Sequence, residues 1–466
     1  MKTTRWRHST RWSAGVLAGI LFAAALAGCG GSAVTGNGTT AVTVKIGGGG
    51  AEAAPAAASS RATPRPLGAA IPLTVAKIRF TVSGAGMDNI VQTFRRSGAT
   101  MTVTLQVPSG PGRTILVEAL DEGDVSRFRG VSVIDTSGVA LAVTVTMSVD
   151  PSNPALRTWT AFADTVSTSA NLNRVTQGDG IVLAAGTSGE IFSSTDGIGW
   201  TSRTPGNISG TISALTFGDN TFLAMTSGFV GTFYPGYWNN HFFAATSDNV
   251  AGWTLRGSVG TAGSPLADIA FGAGMFVAIG DNNAFYSPDD GATWYPGTIS
   301  GVSRLSSVAY GNGRFVATDS ASDNVAVSVD GIHWTTAAIG LASPETPRRT
   351  GFGGGLFLLT TSSGDVYTST DGVAWLRRAR FADLAGLDTS VARVAYGAEA
   401  FLIITASPAQ VYFSVDSGDT WVALDPFGTG GGYHLDDILY WNGAYIGVGG
   451  DYVYPAFGHV FRSGDL

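Results

Sequence analysis

Cysteine and charged residues are both scarce in this chain. Cys29 is the only cysteine among 466 residues, so no disulfide can form within the chain. Asp, Glu, Lys and Arg make up 13% of the residues, and the formal net charge is −7. A nucleic-acid-binding protein needs a dense basic face to neutralise phosphates, and this composition excludes that class.

Long apolar runs are absent after residue 27. No later segment has the uninterrupted apolar length that a transmembrane helix needs, so the sequence predicts no spanning helix there. The apolar fraction is 44%, with 65 glycines and abundant Val, Thr and aromatic residues. This composition favours a packed, loop-rich all-β protein, and the length allows more than one domain.

The N-terminus has the layout of a secretory signal peptide. A basic stretch is followed by an apolar run from Ala14 to Ala27, which closes on Leu-Ala-Gly-Cys at Cys29. The closing sequence resembles the lipobox of bacterial lipoproteins and implies acylation of Cys29 after removal of residues 1–28. An acyl chain holds a protein at a membrane surface without a span. We expect an extracytoplasmic protein anchored in the bacterial cell envelope, at the outer membrane or cell surface. In a Gram-negative host, Gly30 directly after the cysteine fits outer-membrane sorting.

Period-two alternation of apolar residues describes the next region. After a tether at 29–40, residues 41–151 predict short antiparallel strands, interrupted by a low-complexity linker at 47–70. We expect a small Ig-like or transthyretin-like β-sandwich, with the segment AVTVKI as its possible first strand. It resembles stalk-like domains of bacterial lipoproteins; a spacer role is favoured over ligand binding.

A short turn ending in Trp recurs through the rest of the chain. Five copies contain an aspartate at the same place: Asp196, Asp289, Asp330, Asp371 and Asp416. The tryptophans that end three successive copies, Trp294, Trp334 and Trp375, are 40 and 41 residues apart. A period of this size with four short strands per unit predicts the blades of a β-propeller.

The turns resemble the Asp-box, or BNR, repeat, whose motif is roughly Ser-x-Asp-x-Gly-x-Thr-Trp. The segments SPDDGATW and SVDSGDTW match the full form. The resemblance covers about 157–466 and implies a propeller fold related to that of sialidases. Seven recurrences of the first strand predict seven blades over 155–466, with RTWTAF at 157–162 completing the last blade. The five aspartates are expected to accept backbone N–H bonds and hold the turns together, a structural role.

The opposite face of the propeller is expected to bind the ligand, because two aromatic insertions lie there. They occupy 228–241 and 449–459. Aromatic side chains beside polar ones suit sugar rings, peptides or a protein partner, although the two insertions could instead pack on each other. The predicted ligand-binding residues are Phe233, Tyr234, Tyr237, Trp238, Asn239, His241, Tyr452, Tyr454 and Phe457.

Catalysis is the second interpretation. Sialidases use three arginines, and Arg174, Arg349 and Arg393 occupy equivalent first-strand positions, but the Arg-Ile-Pro sequence of that family is absent. A glycoside hydrolase needs two carboxyl groups across the scissile bond, for which Asp268, Asp437 and Asp451 are the candidates. A metal site near His241, His434 and His459 lacks diagnostic ligand spacing.

The sequence therefore favours a lipid-anchored propeller that binds a glycan or protein ligand without catalysis. A glycoside hydrolase or sialidase-like enzyme and a passive envelope component remain alternatives. Neither a cofactor nor a bound metal is predicted, nucleic acid is excluded as a partner, and a monomer is expected.

Overall fold

A computed structural model gives the structure of the protein. It describes residues 38–46, 71, 75–98, 100–145, 147–162, 171–206, 208, 210–230, 237–262, 265–380, 391–405, 410–427, 432–451 and 457–465. Cys29 and its predicted signal peptide lie outside these residues, as does the whole linker at 47–70. In the part of the chain that is described, no helix is both long enough and apolar enough to cross a membrane.

The N-terminal region forms two β-sheets. Its strands are β1 (Thr39–Ile46), β2 (Lys77–Ser83), β3 (Ile90–Arg95), β4 (Met101–Pro108), β5 (Gly110–Leu120), β6 (Ser126–Thr136), β7 (Leu141–Thr144) and β8 (Ser148–Val149). One sheet has the order β4-β1-β7 and the other β3-β2-β5-β6-β8. The possible first strand AVTVKI is part of β1, whose Val42, Val44 and Ile46 are buried, as period-two alternation predicts.

Seven four-stranded sheets follow in the described residues, and we name them blade one to blade seven. A 3₁₀ helix, Pro154–Arg157, and the strand β9 (Trp159–Ala161) come first. Blade one contains β10 (Leu172–Gly178), β11 (Ile181–Gly186), β12 (Ile191–Ser194) and β13 (Thr201–Ser202), with a 3₁₀ turn at Thr187–Gly189. Blade two contains β14 (Ile212–Gly218), β15 (Thr221–Val230), β16 (Tyr237–Thr246) and β17 (Thr254–Ala262).

Blades three to six repeat this antiparallel pattern. Blade three contains β18 (Asp268–Gly272), β19 (Met275–Gly280), β20 (Asn283–Ser287) and β21 (Tyr295–Pro296). Blade four contains β22 (Leu305–Gly311), β23 (Arg314–Asp319), β24 (Asn324–Ser328) and β25 (Thr335–Ala338). Blade five contains β26 (Pro347–Gly353), β27 (Leu356–Thr361), β28 (Asp365–Ser369) and β29 (Leu376–Arg380). Blade six contains β30 (Val391–Gly397), β31 (Ala400–Thr405), β32 (Gln410–Ser414) and β33 (Val422–Leu424).

Blade seven joins the two ends of the repeat region. It contains β34 (Tyr433–Trp441), β35 (Ala444–Asp451), β36 (Gly458–Ser463) and, as its outer strand, β9 from before blade one. Phe461 pairs with Ala161 and Ser463 with Trp159. The sequence predicted this pairing, which covers the edge that β36 would otherwise expose.

Aromatic rings pack between neighbouring blades near the C-terminal ends of the first strands. At six junctions the glycine that ends one first strand faces a ring from the next blade, as Gly178 faces Phe217 and Gly353 faces Tyr396. A Cβ at Gly178 would lie 2.2 Å from the Phe217 ring, so only glycine leaves room for it. The junction between blades seven and one is different, because Trp441 stands at the glycine position and Gln177 at the aromatic one.

The Asp turns have the predicted hairpin geometry. In blade four, Asp330 Oδ1 accepts the backbone N–H groups of Ile332 (2.9 Å) and His333 (2.8 Å), and the Ser328 hydroxyl donates to the same oxygen. Trp334 Nε1 donates to the carbonyl of Gly331 at 3.1 Å, and its ring packs with residues of blades three and four. The carboxylates of the other four turns also accept backbone N–H bonds.

Candidate functional site

One position of the first strand is equivalent in all seven described blades. We call it the ring position. Around the propeller it holds, in blade order, Arg174, Ala214, Asp268, Ser307, Arg349, Arg393 and Asp437. The three arginines and Asp268 border a cavity of about 290 Å³ together with Ala267, Ser306, Val391, Ala392 and Asp436. We call it the arginine cavity. It lies near the N-terminal ends of the first strands, on the face of the propeller opposite the Asp turns.

A β-bulge precedes the ring position in six of the seven described blades. The register shifts at these places, for example between Leu172 and Arg174 and between Val391 and Arg393. A bulge leaves one extra residue outside the ladder, so its backbone carbonyl is available to other donors. Arg174 Nε donates to the carbonyl of the bulge residue Ser213 at 2.7 Å. In the same way, Arg349 Nε donates to Ala392 at 3.0 Å.

The aspartates of the ring position bond to the following blade in a different way. Asp437 Oδ2 accepts the backbone N–H of Val175 at 3.1 Å, and Asp268 Oδ2 accepts that of Val308 at 3.1 Å. The remaining oxygen of each carboxylate accepts the N–H of its own neighbour, Ile438 at 2.9 Å and Ile269 at 3.0 Å. Both carboxylates are therefore already hydrogen-bonded to backbone N–H groups, and both are buried.

Arg393 lies between these two carboxylates. Its Nε is 3.0 Å from Asp437 Oδ1 and its Nη1 is 3.8 Å from Asp268 Oδ1. The nearby negative charge, above all that of Asp437, raises the pKa of Arg393 further. Arg393 is thus a cation whose charge is already balanced.

Arg174 and Arg349 have no carboxylate in salt-bridge contact. Asp268 acts on both guanidinium groups, and Asp437 and Asp436 act on Arg174, only from a greater distance. Burial, together with the positive charge of Arg393, lowers the pKa of both guanidinium groups. Among the described residues, both arginines donate hydrogen bonds to backbone carbonyls alone: Ser213 and Asn173 accept from Arg174, and Ala392 and Ser306 accept from Arg349. In the described part of the chain, neither arginine forms a salt bridge.

Blade seven carries two further Asp–His pairs on this face. His434 Nε2 is 3.2 Å from Asp436 Oδ2, and Asp436 is the bulge residue on the cavity wall. His459 Nε2 is 2.9 Å from Asp451 Oδ1, and the His459 side chain is 6% exposed. Among the residues that the structure describes, no group of three or more His, Cys, Asp and Glu side chains is arranged to hold a metal ion.

The predicted aromatic ligand site is only partly described. Phe233, Tyr234, Tyr452 and Tyr454 lie outside the described residues. Tyr237 and Trp238 are placed by their backbone in β16, and their side chains are not described. Asn239 Nδ2 lies 3.2 Å from His241 Nε2, and Phe457 is 46% exposed. The facing arrangement of the two insertions stays a prediction.

The insertion of blade two is less of a loop than the sequence indicated. β15 continues to Val230 and β16 begins at Tyr237, with Gly228 paired to Asn239. Its aromatic and β-branched residues fit a pleated strand, so the ladder extends into the insertion. Likewise, Gly449–Asp451 end β35 and Gly458 begins β36.

The sequence indicated the equivalent arginines and aspartates as candidates for catalysis, and it predicted the ligand site at the aromatic insertions instead. The available signal was their identical position in successive repeats, which a propeller brings around one axis. The three candidate catalytic residues are also divided by the structure. Asp268 and Asp437 share Arg393, whereas Asp451 pairs with His459.

Comparison with known proteins supports the fold. The sequence matches no protein-family model and no curated protein. Among solved structures, the catalytically inactive virginiamycin B lyase from Staphylococcus aureus with quinupristin has a TM-score of 0.50 at 9% identity, covering 66% of this chain and 98% of the lyase. YCF48 bound to D1 peptide has a TM-score of 0.49 at 15% identity, covering 68% of this chain and 100% of YCF48. YCF48 from Cyanidioschyzon merolae has a TM-score of 0.47 at 15% identity, covering 66% of this chain and 98% of that protein.

The lyase is a β-propeller protein, and a likeness at 9% identity concerns the fold alone. The chain is thus an all-β protein whose four-stranded blades form a propeller.

Proposed function

We propose that this protein is a non-catalytic binding propeller that takes an anionic group of its ligand in the arginine cavity. One observation carries the proposal: Arg174 and Arg349 border the cavity but donate only to backbone carbonyls, while the carboxylates nearby bond elsewhere. A partly buried cation without a counter-charge in contact is costly, and an incoming anion would supply that contact.

Guanidinium groups suit this task because of their shape. The planar fork of donors binds carboxylate, sulfate or phosphate oxygens in pairs, and the bonds are charge-assisted. Backbone carbonyls hold Arg174 and Arg349 in place before any ligand arrives. Pre-positioned side chains lose little conformational entropy on binding, which favours affinity.

The carboxylates of the cavity support binding over hydrolysis. A general acid or base has to be within reach of the substrate and free to exchange its proton. Asp268 and Asp437 each accept two backbone N–H bonds and share Arg393, so protonation of either would break several interactions. We therefore assign them to the scaffold rather than to a catalytic pair.

The remaining parts of the proposal follow from the sequence. The seven four-stranded sheets support a seven-bladed propeller, and the two N-terminal sheets support a sandwich that acts as a spacer. Acylation of Cys29 would hold the chain at the envelope, facing away from the cytoplasm. The ligand would be an acidic glycan or a protein with an exposed acidic group, with Phe457 and the aromatic insertions contacting its apolar parts.

The test is calorimetric titration of the purified chain with sodium sulfate and with glucuronate. We expect both anions to bind, and Arg349→Gln to weaken sulfate binding by roughly tenfold or more, since a lost charge-assisted bond costs about 1.5–3 kcal/mol. Arg348→Gln is the matched control, because Arg348 is the exposed neighbour on the same strand. Circular dichroism should show that both variants stay folded.

A glycan array with mass spectrometry of every retained glycan completes the test. Retention of acidic glycans, uncleaved and lost in Arg349→Gln, is the expected result. Cleavage of a retained glycan would overturn the non-catalytic role. Equal sulfate affinity in the wild-type chain and Arg349→Gln would overturn the arginine cavity as the binding site.

A further inference from the structure

The N-terminal five-stranded sheet has a partly open edge at its fourth strand, β6, because the last strand, β8, is short. β6 pairs with β5 along most of its length, but β8 covers its other side only at Phe128 and Arg129. Residues 130–136 of β6 therefore have no strand partner on that side within the described part of the chain. Free backbone donors and acceptors along an edge are a template for pairing with another strand.

Two of the three exposed side chains on this edge are apolar, and the third is Asp135. Val131 is 58% exposed and Val133 is 64% exposed, and both lie on the outer face of the sheet. Native proteins usually protect an open edge with charges, proline or a covering loop. Residues 130–134 are Gly-Val-Ser-Val-Ile and carry none of the charges or prolines that provide such protection.

We propose that β6 pairs antiparallel with β6 of a second copy of this chain, around a two-fold axis at Val133. The two five-stranded sheets would then form one continuous sheet. In this register Val133 faces Val133 of the second copy, and Gly130 faces Thr136. The partner strand would stop at Thr136, before the turn at 137–139, so the pairing of Ser148 with Arg129 is left intact.

Charge complementarity supports the second copy as the occupant. An isologous interface needs a surface that complements itself, and β6 carries a basic and an acidic residue on the same outer face, Arg129 and Asp135. In the proposed register Arg129 lies diagonal to Asp135 of the second copy, within reach of a long side chain. The two-fold axis creates this pair twice.

Neither charge is in a salt bridge within its own sheet, although the charge of Arg129 acts on nearby Asp150. The residue beside Arg129 on β5 is Glu118, but Arg79 binds both Glu118 oxygens, at 2.8 and 2.9 Å. Arg129 thus has no salt bridge among the described residues. Asp135 accepts the backbone N–H of Gly112 at 2.7 Å and has no cationic partner in the same described part. Both side chains are exposed and available to a second copy.

Sedimentation equilibrium of the purified chain over a wide concentration range tests the proposal. We expect a monomer–dimer equilibrium, in contrast to the monomer that the sequence predicts. Val133→Lys would bring two like charges together at the axis and should yield a monomer. Val91→Lys is the matched control, because Val91 is 57% exposed but lies on β3, at the opposite edge of the same sheet. It should leave the dimer unchanged.

Charge reversal separates this register from other modes of association. Arg129→Asp alone and Asp135→Arg alone should each weaken the dimer several-fold, and the double reversal should restore it. Thermal unfolding of each variant checks that the sandwich is intact. A wild-type chain that stays monomeric, a dimer that survives Val133→Lys, or a double reversal that fails to restore association would each overturn the proposal.

Discussion

Asp437 in blade seven accepts the backbone N–H of Val175 in blade one at 3.1 Å, and this bond closes the propeller at its inner strands. The outer strands are closed separately, by the pairing of β36 with β9. Blade seven is therefore joined to the start of the repeat region on both its inner and outer sides. The inner closure also positions Arg393, since Asp437 Oδ1 binds the Arg393 guanidinium.

Removal of this carboxylate should destabilise the whole propeller. Asp437→Ala leaves Arg393 with only the more distant Asp268 and leaves the Val175 N–H without its acceptor. We expect a loss of about 3–5 kcal/mol in the free energy of unfolding, measured by urea denaturation. Asp436→Ala, at the adjacent and more exposed residue, should cost far less. A similar loss in both variants would show that Asp437 has no special closing role.

The exception at the junction of blades seven and one gives a second prediction. Trp441 is 4% exposed and packs in a core cluster with residues of blade one, while Gln177 Nε2 donates to the Tyr440 carbonyl at 3.2 Å. Trp441→Gly should lower the free energy of unfolding by about 3–5 kcal/mol, because it leaves a large void.

Restoring the common pattern should rescue that variant. Trp441→Gly combined with Gln177→Phe recreates the glycine–aromatic pair of the other six junctions, so most of the loss should be recovered. Gln177→Phe alone should overpack the site and cost about 1–3 kcal/mol. If the double variant is no more stable than Trp441→Gly, the rings at these junctions do not substitute for each other.

The Asp turns predict a loss of stability in acid. Backbone N–H bonds from Ile198 and Gly199 lower the pKa of Asp196, and those from Ala374 and Val373 lower the pKa of Asp371. Because each folded pKa lies below the unfolded value, the stabilisation is present above about pH 4 and is lost as the pH falls further.

The turn variant Asp371→Asn should reveal this dependence. We expect its melting temperature to lie below that of the wild-type chain at pH 7, and the gap to narrow towards pH 3 as Asp371 becomes protonated in the wild-type chain. Asp248→Asn, at an exposed residue in the degenerate turn before Trp253, should show no such dependence. A gap of constant size across the pH range would contradict the role of the ionised carboxylate.

The arginine cavity also predicts a gain of affinity. Asp436 is a wall carboxylate that repels an incoming anion. Asp436→Asn keeps the size of the side chain and removes the charge, so sulfate should bind several-fold more tightly at low salt, and the gain should shrink at high salt. Calorimetry with the isosteric control Asp465→Asn, at an exposed residue of the C-terminus, checks the specificity of the effect. Unchanged or weaker sulfate binding by Asp436→Asn would contradict the proposed path of the anion.

Local patterns were readable from the sequence. Each Asp turn is built within a few residues: Ser328, Asp330 and Gly331 bond to one another and to the backbone around them. Short hairpins follow from such turns, and the 40-residue period follows from their repetition. The closing strand was also predictable from the repeat. Blade seven lacked an outer strand, and the segment RTWTAF before blade one matched the missing strand.

The candidate site could not be predicted from local patterns, because its hydrogen bonds join residues far apart in the chain. Arg174, Arg349 and Asp437 stand at equivalent places in their repeats, yet their bonds run between residues about forty positions apart or, at the closure, 262 apart. Which carbonyl an arginine reaches depends on the bulge before the ring position, and a bulge changes register by one residue. The same composition without bulges would direct the side chains differently.

By itself, the sequence determined the all-β class, the repeat and its turns, since these depend on residues close together in the chain. Only the tertiary structure decided which charges are balanced. Arg393 is neutralised by a carboxylate of the neighbouring blade seven and another of blade three, whereas Arg174 and Arg349 donate hydrogen bonds to backbone carbonyls alone. The reason is geometric: a closed ring brings seven equivalent positions to one axis, and the energy of each charge there depends on all the others.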